Sequence, residues 1–295
     1  MDKKPILGTL TQIAEAKDEL DNFILNRIGM NFGMNLSSGL HINEKQKEDY
    51  FGKILNCTLS LLKVNECKRS YVEKEKKLIE EFRKKAIGDA NKSIILGEKP
   101  IELLTEADSF FTQIKSALDS LAQILNPFFG ISIDGWHKAK YKGVEKSGVR
   151  ILNTLNNLNE EERKKTVSLR VLIEESLDWL TYLVQLRDNP LHKGSYAGNI
   201  IEMKIVKSEN QVSDVYPLCI RHPCNIIEPL SNFLNRTIHD VASFVEAFLY
   251  HSLQCKSFGG LTLHLVKEKE GEVYRWAIPQ IKKTGEEKEK NQNPK

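Results

Sequence analysis

The amino-acid sequence predicts a mainly α-helical protein: a helical bundle with an N-terminal helical region and small β-hairpin insertions. Three observations predict it. Apolar residues recur at spacings near three and four over several long stretches, the period of a helix with one buried face. Proline, glycine and asparagine clusters separate those stretches. Between and after the last of them lie two pairs of short, β-branched, roughly alternating runs, the pattern of hairpins.

Leu10, Ile13, Ala14, Leu20, Phe23, Ile24 and Ile28 form the first helical stripe. The Gly, Asn and Ser content of Gly29 to Gly39 predicts a loop after it. A second helix is expected from about Asn43 to Ile87, apolar on one side at Tyr50, Ile54, Leu55, Leu59 and Leu62. Its second part, Lys68 to Lys85, mixes Lys, Arg and Glu. That composition suits a solvated face better than a basic arm for nucleic acid.

Pro100 precedes a third helix carrying Phe110, Phe111, Ile114, Leu118, Leu121, Ile124 and Leu125, with Thr105 and Asp108 as a capping pair and Asn126-Pro127 as its stop. Gly130 to Gly135 reads as a connector, followed by a less regular helix from about Trp136 to Leu158. Asn156 to Glu161 is a polar link. Leu169, Leu172, Ile173, Leu177, Leu180, Leu183 and Val184 give the clearest helix, from Val167 to Leu186, broken by Asn189-Pro190. A hairpin is expected from Asn199–Val206 and Val212–Ile220, then a long helix from about Ile226 to Leu253, then a strand pair at Leu261–Val266 and Glu272–Ile278.

These elements divide the chain into residues 1–99, an N-terminal helical region; 100–255, a bundle with its hairpin at about 199–220; 256–282, a short C-terminal hairpin; and 283–295, a charged tail expected to be disordered. The 295 residues are 40% hydrophobic and 28% charged, enough to bury a core. Forty-three basic residues against 40 acidic ones leave a net charge of +3, which excludes coating of nucleic acid by bulk charge but not a local basic groove. Neither a secretory leader nor a membrane span is expected, since the apolar run from Pro5 to Leu10 is short and no run approaches about 18 residues. Five scattered cysteines fit reduced thiols, so the expected compartment is the cytoplasm.

The segment Arg187-Asp188-Asn189-Pro190-Leu191-His192 carries the chemistry the sequence offers. On an unbroken helix, five positions would turn His192 about 140° past Arg187. The break at Asn189-Pro190 lifts that constraint and permits the imidazole to fold back beside the guanidinium. An arginine is always charged and offers a planar fork of donors to phosphate oxygens. A histidine of ordinary pKa, about 6.5, moves protons at neutral pH. Such a pair suits a phosphodiester: the base activates a 2′-hydroxyl and the guanidinium stabilises the charge on phosphorus oxygens. Asp188 could orient either partner, and no metal or cofactor is needed. Taken singly, Arg187 would serve as a cation at a helix C-terminus and His192 as a surface loop residue.

The segment resembles the signature of the HEPN superfamily, an Arg, usually followed by Asn, Asp or His, with four to six residues between the Arg and a His. Arg187, Asp188 and His192 match it at the shortest spacing. The run Phe110 to Asp119 is similar to the early helix of several helical members. The resemblance covers about Pro100 to Leu253. It implies an HEPN-like bundle and a metal-independent endoribonuclease that acts as a homodimer, two motifs facing each other, in toxin–antitoxin, phage-defence or RNA-processing roles. It implies Arg187 and His192 as the catalytic pair, Asp188 as polar helper, RNA as substrate, and an antitoxin or regulatory protein as a further partner. Lys193 and Tyr196 lie close enough in sequence to contact RNA phosphate or stack on a base.

Some members of that superfamily lack activity, so a non-catalytic interaction module or partner subunit is the rival reading. Cys219, His222 and Cys224 allow a third, a zinc site, but a fourth ligand at a convincing spacing is missing; His239, His251 and Cys255 lie on the following helix. Asp119 and Asp178 read as salt-bridge partners within the bundle. His137 with Lys138, Lys140 and Lys142 reads as a helix start with solvated lysines rather than an RNA-facing patch.

Overall fold

A computed structural model describes residues 16–35, 42–88, 94–96, 99–189, 200–208, 211–256, 262–268 and 271–277. The expectations for Leu10 to Ala14, for the segment from Pro190 to Asn199 and for the tail after Lys282 lie outside the described residues.

The first helical stripe folds as α1 (Glu19–Asn22), capped by Asp18, and continues as a π-helical stretch over Phe23–Asn35. Gly29 and Gly33 therefore sit in a helix, not in the expected loop. The reason is close packing. A Cβ on Gly29 would lie 2.9 Å from Thr58 Cγ2, and one on Gly33 would lie 3.3 Å from Ile54 Cγ2. The glycines let this stretch press against α2 (Glu44–Gly88), and the Tyr50 hydroxyl ties the two by donating to the Phe32 carbonyl at 2.9 Å. Asn43 and Gln46 cap α2 reciprocally, side chain to backbone N–H in both directions at 2.9 Å. The 45 residues of α2 span about 68 Å at 1.5 Å each. The charged half is a mixed-sign face: Lys77 pairs with Glu73 and Lys74 with Glu106.

The third helix, α3 (Ile101–Gln123), starts directly after Pro100. Thr105 does not cap it, because its hydroxyl donates back to the Ile101 carbonyl one turn earlier. A short α4 (Leu125–Phe129) accommodates Pro127 in its first turn and ends at Gly130, in the left-handed region at φ 63°. The expected helix from Trp136 to Leu158 is instead a hairpin, β2 (Lys138–Tyr141) with β3 (Val144–Ser147), followed by α5 (Val149–Asn156). Lys142 and Gly143 both have positive φ, the geometry of a two-residue hairpin turn. Asn159 caps α6 (Glu160–Lys165), and α7 (Val167–Asp188) follows as expected.

β1 (Ile94–Leu96), β5 (Lys204–Ser208) and β6 (Gln211–Tyr216) make an antiparallel sheet in the order β1-β5-β6. β4 (Ile200–Ile201), β7 (Cys219–Arg221) and β8 (Ile227–Pro229) make a second. The last helix, α8 (Leu230–Gln254), begins where β8 ends, so Ile226 to Pro229 are turn and strand rather than helix. β9 (Thr262–Glu268) pairs with β10 (Gly271–Ala277), as the alternation predicts.

α2, α3 and α8 pack on one another, α7 packs on α3 and α8, and the π-helical stretch packs on α2, α8 and β10. One buried apolar cluster runs from Leu20 to Leu253, so the N-terminal helices and the later bundle share a core. Arg27 of the π-helical stretch pairs with Glu246 of α8. α7 and α8 are antiparallel. Tyr182, near the end of α7, meets Phe233 at the start of α8, while Cys255 and Lys256 reach back to Lys165 and Glu162. Among the described residues no helix is long and apolar enough to cross a membrane.

Candidate functional site

Arg187 stands seven and four positions beyond Leu180 and Leu183, both buried, so it continues the core-facing stripe of α7 to the point where the core ends. Its side chain is 47% exposed, and Nη1 donates to Asp188 Oδ1 at 3.2 Å. The other Asp188 oxygen, Oδ2, holds Lys138 Nζ at 2.8 Å. Partial burial would raise the Asp188 pKa, but the hydrogen bond and charge of Lys138, then those of Arg187, outweigh it and keep the carboxyl below its usual value. Asp188 is thus an ionised anchor between two cations.

The hairpin β2–β3 delivers Lys138 to this point. Tyr141 donates to Glu174, Lys146 pairs with Asp178 at 2.5 Å, and the Ser147 N–H donates to Thr181 Oγ1 at 2.8 Å. Glu174, Asp178, Thr181 and Asp188 are four, three and seven positions apart, which is one face of α7. The hairpin lies along that face, and Lys138 is its contact nearest the helix end. Trp136 anchors its base. Its backbone N–H donates to Asp119 at 2.6 Å, and Asp119 in turn pairs with Lys115 at 2.5 Å. Asp119 and Asp178 are therefore structural ion-pair residues. His137 lies at the hairpin's start and pairs with Asp134 at 3.3 Å.

α7 ends at Asn189, whose backbone and side-chain N–H groups both donate to the Gln185 carbonyl. Its φ of −122° and ψ of 83° are non-helical, as a residue before proline requires. His192, Lys193 and Tyr196 lie outside the described residues. Of the predicted site residues, Arg187 and Asp188 are together at the end of the bundle.

A second polar group lies near the same end. The Pro223-Cys224-Asn225 loop between β7 and β8 closes with the His222 N–H donating to the Ile226 carbonyl at 2.8 Å, and Asn225 takes a left-handed φ of 62°. This turn directs His222 Nε2 to Glu228 Oε1 at 2.6 Å, and Arg236 Nη2 donates to the same oxygen at 2.6 Å. Cys219 Sγ instead approaches the Pro217 carbonyl, and Cys224 is exposed. The three candidate zinc ligands are thus spread over separate partners, and no cluster able to hold a metal ion exists among the described residues.

His222 and Arg236 border a cleft of about 480 Å³ between α7 and α8. Trp179, Tyr182 and Leu183 of α7 form one wall, and α8 supplies Phe233, Thr237, Asp240 and Ser243. Sequence reading missed this group because its members span a turn, a strand and a helix, and no fixed spacing announces their meeting. The alternation at Cys219–Arg221 and the Pro-Cys-Asn turn after it were the available signals.

No family model, curated protein or solved structure matches the chain.

Proposed function

We propose that the chain is a metal-independent endoribonuclease of the kind the HEPN resemblance implies. The observation that carries the reading is the Arg187–Asp188–Lys138 arrangement at the end of α7. The guanidinium is half exposed, its bond to Asp188 restrains its orientation, and Lys138 secures Asp188 from behind. A phosphate oxygen can reach such a guanidinium without first breaking a buried ion pair. His192 follows Asn189 by three residues, and three residues of chain reach at most about 11 Å.

In this reading His192 takes the proton from a ribose 2′-hydroxyl. The alkoxide attacks the adjacent phosphorus, the bond to the 5′-oxygen breaks, and that oxygen leaves with a proton. The products are a 2′,3′-cyclic phosphate and a 5′-hydroxyl. Arg187 stabilises charge on the non-bridging oxygens. Asp188 acts as a positioning residue for Arg187, and Lys193 and Tyr196 contact the flanking RNA. A second copy of the chain faces the first across a homodimer, and the setting is a cytoplasmic toxin or phage-defence system.

The test is incubation of the full chain with end-labelled single-stranded RNA in chelator. Cleavage with 2′,3′-cyclic phosphate ends, lost in Arg187→Ala and His192→Ala at unchanged circular dichroism, supports the reading. A double variant that cuts as fast as the parent refutes it. A parent that leaves RNA intact under every condition leaves a helical interaction module in its place.

A further inference from the structure

We infer that the cleft between α7 and α8 seats a guanine base of the RNA whose backbone Arg187 engages, an inference that rests on the ribonuclease reading. Its volume, about 480 Å³, lies within the range of about 300–1,000 Å³ typical of small-ligand sites. Its walls suit a flat ring. Trp179 and Tyr182 of α7 line the cleft, Tyr182 packed on Phe233 of α8 at 6.1 Å between ring centroids, and aromatic side chains hold unstacked bases by stacking on one face.

The rim supplies the selectivity. Arg236 and Asp240 stand one turn apart on α8, the spacing at which a helix pairs opposite charges on itself. They do not pair. Glu228 draws the guanidinium away at 2.6 Å, and Asp240 has neither an ion pair nor a hydrogen bond among the described residues. The cleft thus presents a carboxylate acceptor left open and a guanidinium held in place with donors to spare. Guanine is the base that matches both. Its N1–H and N2–H groups lie side by side and suit one carboxylate, while O6 and N7 accept from an arginine. Adenine and cytosine lack the adjacent pair of donors. Uracil places its single N3–H between two carbonyl oxygens that would repel Asp240.

The cleft also lies where RNA bound at Arg187 would pass. Leu183 lines it, and Arg187 follows one turn later, about 6 Å further along α7.

The experiment uses the full chain and 2′-O-methyl oligonucleotides, which cannot be cleaved, each carrying a single guanine, inosine, adenine or cytosine in a uridine background. Fluorescence anisotropy should show guanine bound at least tenfold tighter than adenine or cytosine. Inosine, which lacks only the 2-amino group, should fall near tenfold below guanine. Asp240 is exposed, so Asp240→Asn should fold normally and reduce the guanine–inosine ratio below threefold. Guanosine monophosphate should compete with the guanine oligonucleotide. Equal affinity for all four bases, or a ratio unchanged in Asp240→Asn, overturns the inference, as does a mononucleotide that binds without displacing RNA. Cleavage is scored separately. Guanine preference without cleavage removes the ribonuclease and keeps the base site, whereas cleavage without guanine preference does the reverse.

Discussion

Gly148 joins two separate physical demands, and a pair of alanine substitutions can separate them. It ends the β2–β3 hairpin at φ 93°, with its N–H bonded to the His137 carbonyl at 3.1 Å. A Cβ added there would lie 2.7 Å from Trp136 Nε1. The indole cannot recede, because it is fully buried with Phe244 and Phe248 packed on it at centroid distances of 5.6 and 6.0 Å. Gly130 shares the left-handed backbone, at φ 63°, but a Cβ there meets nothing within 4 Å.

Alanine in the left-handed region costs about 1–2 kcal/mol. Reduced freedom of the unfolded chain offsets about 0.4–1 kcal/mol of that. Overpacking a tight site adds about 1–3 kcal/mol. Gly130→Ala should therefore destabilise by about 1 kcal/mol and Gly148→Ala by about 2–4 kcal/mol, the difference being the Trp136 contact. Urea unfolding followed by circular dichroism reads both, with the denaturant slope expected to stay constant. Equal losses at the two positions would refute the argument that Trp136 is the obstacle.

Lys138→Met should weaken the protein by about 0.5–1 kcal/mol, since the ion pair with Asp188 is one-third exposed on both sides. Because folding holds the Asp188 pKa below 3.8, its contribution is complete above that value and disappears as pH falls through the lower, folded one. The gap between parent and variant should thus be constant from pH 5 to 7 and close below about pH 3.8, measured by urea unfolding at each pH; a gap independent of pH rejects the linkage. Iodoacetamide at pH 8 should alkylate exposed Cys224 first. Burial pushes the thiols of Cys57 up to about 12 and of Cys255 up to about 11, so these two should react only in denaturant. Peptide mapping that finds Cys57 labelled before Cys224 would contradict the packing of α2.

The long helices were legible because burial on one side writes itself into the sequence at a period of 3.6. α2, α3, α7 and α8 all emerge from that pattern, as does the end of α7 at Arg187 and Asp188. Glycine was misleading where it served contact rather than flexibility. Gly29 and Gly33 signal a loop by composition, yet each is where one helix surface presses on another. The β2–β3 hairpin was missed because Lys138, Lys140 and Glu145 are polar on strands with little burial, so only the Lys142-Gly143 turn marked it. Lys138 as the partner of Asp188 could not be read at all, since 50 positions separate two residues that meet only once the hairpin lies along α7.

The Arg27–Glu246 pair joins residues 219 positions apart. At a ribosomal rate of about 5–20 residues per second, roughly 10–40 s pass between synthesis of the two partners. Throughout that interval the nascent π-helical stretch, with Ile24 and Ile28 on it, waits without the α8 surface that will cover it. Burial of this stretch is thus completed in two stages, first against α2 and only much later against α8.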